Sequence, residues 1–244
     1  MKRFYKQVTT TLQAGGTLQA SGWQVTLDGR GVKTVSGKPQ LVPTKALADA
    51  LAAEWAAQGE EIKPASFLLR DMADYAIDVV TPDPAAAVLA MLPYAETDTL
   101  CYRAAPGEPI HPRQIAVWEP LLTAAEHRWD IAFERVSGVL HHAQPEATVA
   151  RLSKVLQAQD PFTLAALRSM AGLAASLVIA LAAIEGEHDA DDLLAETLWN
   201  AANLEEDFQA EFWGVDAEAA ELRARRLRDF TAAMHFAELV RENL

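Results

Sequence analysis

Apolar residues in this chain recur at two different periods, and the change between them sets what it can fold into. Over the first sixty residues the signals are those of strands and turns. Trp23-Gln-Val-Thr-Leu27 alternates apolar and polar side chains, the period of a half-buried strand, and runs into Asp28-Gly29, a favoured hairpin dipeptide. Val32 to Val35 and Leu41-Val42 offer two more short strands, separated by the turn residues Ser36-Gly37-Lys38-Pro39. Pro43-Thr44 then opens a helix over 45–58, with Thr44 as N-cap and Leu47, Leu51 and Trp55 on its apolar face.

Past about residue 66 the spacing is mostly helical. The spacing predicts a helix from Ile110 to Trp129 with Ile115, Trp118, Leu121 and Leu122 on one side, and another from Pro145-Glu146 to about Gln159. Asp160-Pro161, an N-cap followed by Pro at the first helical position, starts a helix that runs to about Ile184. Gly186 and the acidic stretch Glu187 to Asp192 mark a loop and a new helix start, where carboxylates suit the macrodipole. That helix is expected from about 191 to 212, stopped by Trp213-Gly214. A last helix over 216–240 carries Arg223, Arg225, Arg226 and Arg228 in its middle. Thr99 to Arg103 and Ile131 to Val136 are candidate extra strands. The expected fold class is α+β, with a small β-rich N-terminal domain over residues 1–65 and a larger, mainly helical C-terminal domain over 66–244.

Charge is segregated along the chain. Of 34 acids and 21 bases, thirteen acids and no base fall between Ser169 and Leu222, so the remaining acids balance the bases and this stretch carries the whole formal net charge of −13. Such a surface repels nucleic acid and anionic membrane and attracts a basic protein surface, or simply keeps helices solvated. The most apolar run, Ser169 to Ile184, has 16 residues against the roughly 20 needed to span a bilayer, which indicates a buried core helix and no membrane insertion. The polar start, Met1-Lys-Arg-Phe-Tyr-Lys-Gln7, argues against a secretory signal. The single cysteine, Cys101, allows no intramolecular disulfide and fits a reducing compartment as a structural thiol.

Catalytic signatures are missing. Gly31 to Lys38 resembles a P-loop at a glance, but five residues separate its glycines and Pro39 stands where a magnesium-binding hydroxyl belongs. His141-His142 lack a cysteine or third histidine nearby, and the acidic loop over 185–192 lacks the glycine and terminal glutamate of a calcium site, so no metal and no cofactor is expected. One carboxylate breaks a local rule. On a continuous helix over 191–212, Leu194, Leu198, Ala201, Phe208 and Phe212 fall in one band about 80° wide, and Glu205 lies inside it. Glu206 and Asp207 project elsewhere, and Gln209 extends a polar notch one turn further on. A carboxylate in an apolar stripe must be paired, neutralised, or turned towards a groove or partner. The arginines of the last helix and Arg168 are candidate internal partners. Trp199 and Trp213 lie off the stripe, able to pack beneath a neighbouring helix or to anchor a partner.

Several spaced segments carry a resemblance: Phe4-Tyr5-Lys6-x-Val8, Leu27-Asp-Gly-Arg30 with Val32-Lys-Thr34, Glu54-Trp55-x-x-Gln58 with Ile62-x-Pro64, Ala76-Ile-Asp78, Tyr94-x-x-Thr97-Asp98 with Tyr102-Arg103, Gln114-x-x-x-Trp118, Ser176 to Ala182, and Leu204-Glu-Glu-Asp-Phe-Gln209 with Trp213-Gly214. In this order the chain resembles, over nearly its whole length, the assembly chaperones of the F-type ATP synthase α subunit, called ATP synthase mitochondrial assembly factor 2 in animals. The resemblance implies a non-enzymatic chaperone, a β-rich domain joined to a helical one, and the unassembled α subunit as partner. Such a chaperone shields the surface the α subunit later gives to β and leaves as the hexamer forms. It also implies that the family's important glutamate lies at Glu205 or Glu206, and the stripe selects Glu205; Gln209 and Trp213 complete the expected partner-binding set. Two segments depart from the family pattern. Phe67-Leu-Leu-Arg70 replaces a Met-Pro-Leu-Thr-like stretch, and Val35 stands where Pro is usual. With the first motif at residue four, a bacterial, cytoplasmic member is expected, the eukaryotic relatives being in the mitochondrial matrix. Two rivals stay open: a small-molecule enzyme using a buried Glu205 as general base, and a generic acidic adaptor for some other basic protein.

Overall fold

The computed structural model describes residues 1–14, 21–138, 140–185 and 193–241. The fold is α+β, as expected: a small antiparallel sheet near the N-terminus followed by a long helical region. It divides into two compact units. The first comprises residues 1–84, 160–166 and 235–244, the second 85–159 and 167–234.

In the first unit, β1 (Val8–Gln13), β2 (Gly22–Leu27) and β3 (Arg30–Gly31) form a three-stranded sheet in that order. Asp28 and Gly29 both take positive φ, +49° and +78°, as a tight hairpin turn requires, and set Leu27 opposite Arg30. The further strands expected at 32–35 and 41–42 shrink to isolated bridges, Lys33 to Pro39 and Trp23 to Val42. Pro39 has no N–H to extend a ladder. Helix α1 (Lys45–Ala56) begins where expected, with Thr44 Oγ1 accepting from Leu47 N, and buries Leu47, Leu51 and Trp55. The same hydroxyl donates to Leu239 O at 2.6 Å.

Side chains fasten the segments that follow. Glu54 accepts from Leu69 N and Arg70 N and thereby caps α2 (Leu68–Tyr75), which has no N-cap side chain of its own. Gln58 accepts from Lys63 N at 2.8 Å. Asp78, on the π-helical turn Ala76–Val80, accepts from Thr34 Oγ1 and Ser36 N, and Asp74 accepts from Gln40 Nε2, which pins the loop after the hairpin.

The second unit is helical: most of α3 (Pro84–Leu89), then α4 (Pro93–Glu96), α5 (His111–Trp129), α6 (Glu146–Gln157), part of α7 (Pro161–Ala174), α8 (Leu177–Glu185), α9 (Leu193–Ala202), α10 (Leu204–Trp213) and most of α11 (Ala217–Arg241). Of the extra strands expected, Tyr102–Arg103 (β4) and Val136–Ser137 (β5) remain as a short parallel pair. The buried face of α5 is Gln114, Trp118, Leu122, Ala125 and Trp129. Ile115 is 37% exposed and Leu121 half-buried, so these two expected face residues lie off it. Asp160 Oδ1 accepts from Phe162 N and Thr163 N, confirming the cap on α7. The acidic loop expected around Gly186 to Asp192 lies outside the described residues.

The single helix expected from 161 to 184 is two helices. Ala175 takes φ +49°, outside the helical region, and Ser176 begins α8, its Oγ accepting from Ile179 N. The break is stabilised from afar. Thr99 donates through both its N and Oγ1 to Ala175 O, and Asp98 accepts from Val178 N at 2.9 Å and Leu100 N at 3.1 Å. Asp98 is fully buried, at the N-terminus of a helix that supplies the donors burial demands. Burial lifts its carboxyl from 3.8 to about 6, against hydrogen bonds that lower it. Because the folded value is raised, its contribution to stability is full below the unfolded value near 3.8 and is lost as pH rises through 6. We expect Asp98→Ala to destabilise the protein by roughly 2–4 kcal/mol at neutral pH, since it strands buried N–H groups. Urea melts from pH 4 to 7 should show wild type losing about 3 kcal/mol relative to Asp98→Asn, which cannot titrate; parallel pH profiles would contradict this account of the junction.

Candidate functional site

The helix expected over 191–212 is also two helices in its described part. Asn203, with φ −108° and ψ 19°, separates α9 from α10. Its side-chain amide donates to Trp199 O at 2.8 Å and its backbone N to the same oxygen at 3.1 Å. An asparagine bonding back to the preceding turn competes with helix continuation. The 100° count therefore does not carry across residue 203. Leu198 and Ala201 are buried with Trp199, but Phe208 is only half-buried and Phe212 is 67% exposed. Glu205 is exposed and does not sit in a buried apolar band.

Helix α10 buries none of its residues. Polar links hold it instead. Gln114 Nε2, on α5, donates to Glu205 Oε1 at 2.6 Å. Arg113 pairs with Glu211 through both guanidinium nitrogens and lies 5.0 Å from the Phe208 ring centre. From α11, Arg223 pairs with Asp207 and also donates to Asn200 Oδ1 at 3.2 Å. The arginines of the last helix, candidate partners for Glu205, do not fill that place: its partner is a neutral amide, and Arg223 serves Asp207. Glu206 is exposed with no side-chain partner among the described residues. Trp213 is 87% exposed, and Gly214 ends the helix at φ +73°. Trp199, by contrast, is a core residue 5.7 Å from Phe230. Among the described residues, Glu185, Asp207 and Glu211 of the negative stretch meet arginines in this unit, and Glu205 and Glu206 meet none.

A groove of about 780 Å³ runs beside α10. Glu205, Phe208 and Gln209 form one wall, and Tyr102, Arg103, Glu108 and His141 contribute to the rest. Glu206 and Trp213 are not among its lining residues. Arg103 does not make the groove positive, because its Nη2 lies 2.6 Å from Glu119 Oε2. Behind this wall the Arg135 hydrogen bond holds Glu119 below the usual carboxylate range; at Glu126 burial is the largest influence, but the Arg135 pairing and the Phe133 N–H together outweigh it and hold that carboxyl low too. Cys101 is fully buried and its thiol is pushed up by burial and by Asp98, so it is inert. Among the described residues no three metal-ligating side chains converge.

Sequence reasoning passed over Gln114 as a site residue. It has no solvent access, and its Oε1 accepts from Ala104 N at 2.9 Å while its Nε2 holds Glu205. Its one signal was a place four residues before Trp118, whose indole N–H donates to Ala201 O at 2.7 Å. Glu205 is too exposed to supply the buried carboxylate that a general base would need.

Comparison with known proteins agrees with this architecture. The family described as ATP12 chaperone protein matches residues 2–126. The crystal structure of Atp12 from Paracoccus denitrificans is 34% identical, covers 98% of both chains and superposes with a TM-score of 0.87; an aspartate-to-lysine mutant of that protein matches equally well. A structure from Agrobacterium tumefaciens is 38% identical over 97% of this chain and 85% of its own, also at 0.87. Protein atp12, mitochondrial, of Schizosaccharomyces pombe is 23% identical over 95% of this chain and 80% of that protein. The chain belongs to the ATP12 chaperone family.

Gln114→Glu is nearly isosteric and sets a second carboxylate against Glu205. One of the pair must then titrate at a raised value, so the lost stability returns as pH falls through it. We expect a loss of about 2–4 kcal/mol at pH 7, shrinking towards pH 5. Thermal melts across that range check it, and a variant as stable as wild type at pH 7 would show that the amide link to α10 contributes nothing.

Proposed function

We propose that this protein is an assembly chaperone that binds the unassembled α subunit of the F-type ATP synthase catalytic sector, covers its β-facing surface, and leaves as the hexamer forms. The family assignment supports the class of activity. The observation that carries the binding site is α10 itself, which buries none of its residues, exposes Phe212 and Trp213 at its end, and carries Glu205 and Glu206 at its start with no arginine partner among the described residues. Exposed aromatics with flanking charge suit a protein interface.

In this reading Glu205 and Gln209 meet a basic side chain of the α subunit at the groove, where Glu108 adds a second acid and Phe208 an aromatic face. Glu206 and Trp213 contact the client outside the groove, Trp213 as an anchor. The mechanism is protection by competition. An orphan subunit exposes a surface prone to self-association, and a partly polar cap excludes other copies while binding less tightly than the true neighbour. Among the described residues no single helix is long and apolar enough to cross a membrane. The proposed setting is the bacterial cytoplasm, with the Paracoccus and Agrobacterium relatives as support.

Glu205→Lys reverses charge at an exposed position and leaves the Gln114 amide without its acceptor, so circular dichroism and a thermal melt first establish that the variant is folded. Titrations with purified α subunit should show at least about tenfold weaker binding, and light scattering should show loss of protection against aggregation. Undiminished binding by the folded variant removes Glu205 from the interface. Wild-type affinity should also fall between 0.05 and 0.5 M salt, concentrations over which the Debye length shrinks from roughly 14 to 4 Å; salt-independent binding would contradict a charge-based match.

A further inference from the structure

The first unit carries a groove of its own, of about 570 Å³, which the proposed client site does not use. Tyr5, Val32 and Trp55 are buried along it, and Phe4 stands beside them 64% exposed. Its polar groups are Arg30 and Lys33, both exposed, and Asp28. Among the described residues neither cation has a side-chain partner. Among the described residues Asp28 makes no ion pair with either: its carboxylate accepts from Gln7 N and Lys6 N, which keep it ionised below the usual carboxylate range, so it offsets one of the two charges without occupying either cation. Trp55 is 7% exposed, yet its indole Nε1 has no hydrogen-bond partner, although a buried N–H usually finds one. Over residues 1–45 the chain has seven Lys or Arg against Asp28 alone, the reverse of the stretch around α10.

We propose that this groove is a second docking site, for an acidic peptide segment with an aliphatic or aromatic residue between its carboxylates. The apolar side chain lies on Tyr5, Val32 and Trp55 against Phe4, and the carboxylates pair with Arg30 and Lys33. Charge complementarity selects the occupant. Two free cations suit two carboxylates, whereas nucleic acid binding draws on many phosphate contacts and would be opposed by a chain of net charge −13. The site is independent of which protein is bound at α10.

The test pans a random twelve-residue peptide library against the full-length protein and against its Arg30→Glu/Lys33→Glu variant. Both positions are exposed and unpartnered, so the variant should melt with wild type. Wild type should enrich peptides with Asp or Glu flanking an apolar residue, and the variant should bind those peptides at least about tenfold more weakly, a difference of roughly 1.4 kcal/mol. In a nitrogen–proton correlation spectrum, the Trp55 indole resonance, assigned with Trp55→Phe, should shift on addition of an enriched peptide. Enrichment without acidic residues, equal binding by the variant, an unmoved Trp55 indole, or no enrichment overturns the proposal. So does tighter binding of a twenty-residue polyuridylate through the same two cations. Loss of α-subunit binding in Glu205→Lys with peptide capture intact would separate the two sites.

Discussion

Gln114 is sealed from water, so each of its amide groups must be satisfied inside the second unit, and the way this happens fixes the candidate site. Its oxygen takes the N–H of Ala104, just after β4, and its nitrogen takes Glu205 on α10. One side chain therefore aligns a wall of the groove with the carboxylate opposite. Four residues on, Trp118 reaches Ala201 at the end of α9, so the same face of α5 also anchors the helix before the break. A neutral partner matters here. An arginine in place of Gln114 would cancel the charge of Glu205, whereas an amide orients the carboxylate and leaves that charge in force.

Elements written in local chemistry were legible from sequence. Thr44 and Asp160 cap their helices, Asp28-Gly29 turns the hairpin, and Leu47, Leu51 and Trp55 are inside. Both helix breaks were missed, for different reasons. The bend at Ala175 depends on Asp98 and Thr99, more than seventy residues away, and no periodicity count sees them, although Ser176 with its bond to Ile179 N was a readable cap. The break at Asn203 is local and had a signal in the asparagine itself. Without that break, the count placed Glu205 in a buried stripe. The residue chosen stands out for the opposite reason, its exposure on a helix with no buried side.

Segments that first carried the family resemblance divide by role once their contacts are known. Glu54, Gln58, Asp78 and Asp98 hold backbone N–H groups and belong to the fold. Arg103 is tied to Glu119 in the wall of the groove, and Gln114 bridges fold and site. The segment from Leu204 to Trp213 has none of its residues buried. Charge is divided along the acidic stretch too, since Arg113, Arg128 and Arg223 quench Glu211, Glu185 and Asp207 while, among the described residues, Glu205 and Glu206 have no arginine partner.

Because α10 buries none of its own residues, polar links carry much of its attachment. Exposed ion pairs are worth only about 0.2–1 kcal/mol each, and a hydrogen bond about as much. Lifting this helix away would sever Gln114, Arg113 and Arg223 from it, and none of the side chains it takes along is a buried one. In the proposed role, an element fastened in this manner can be unlatched by a competitor of modest strength.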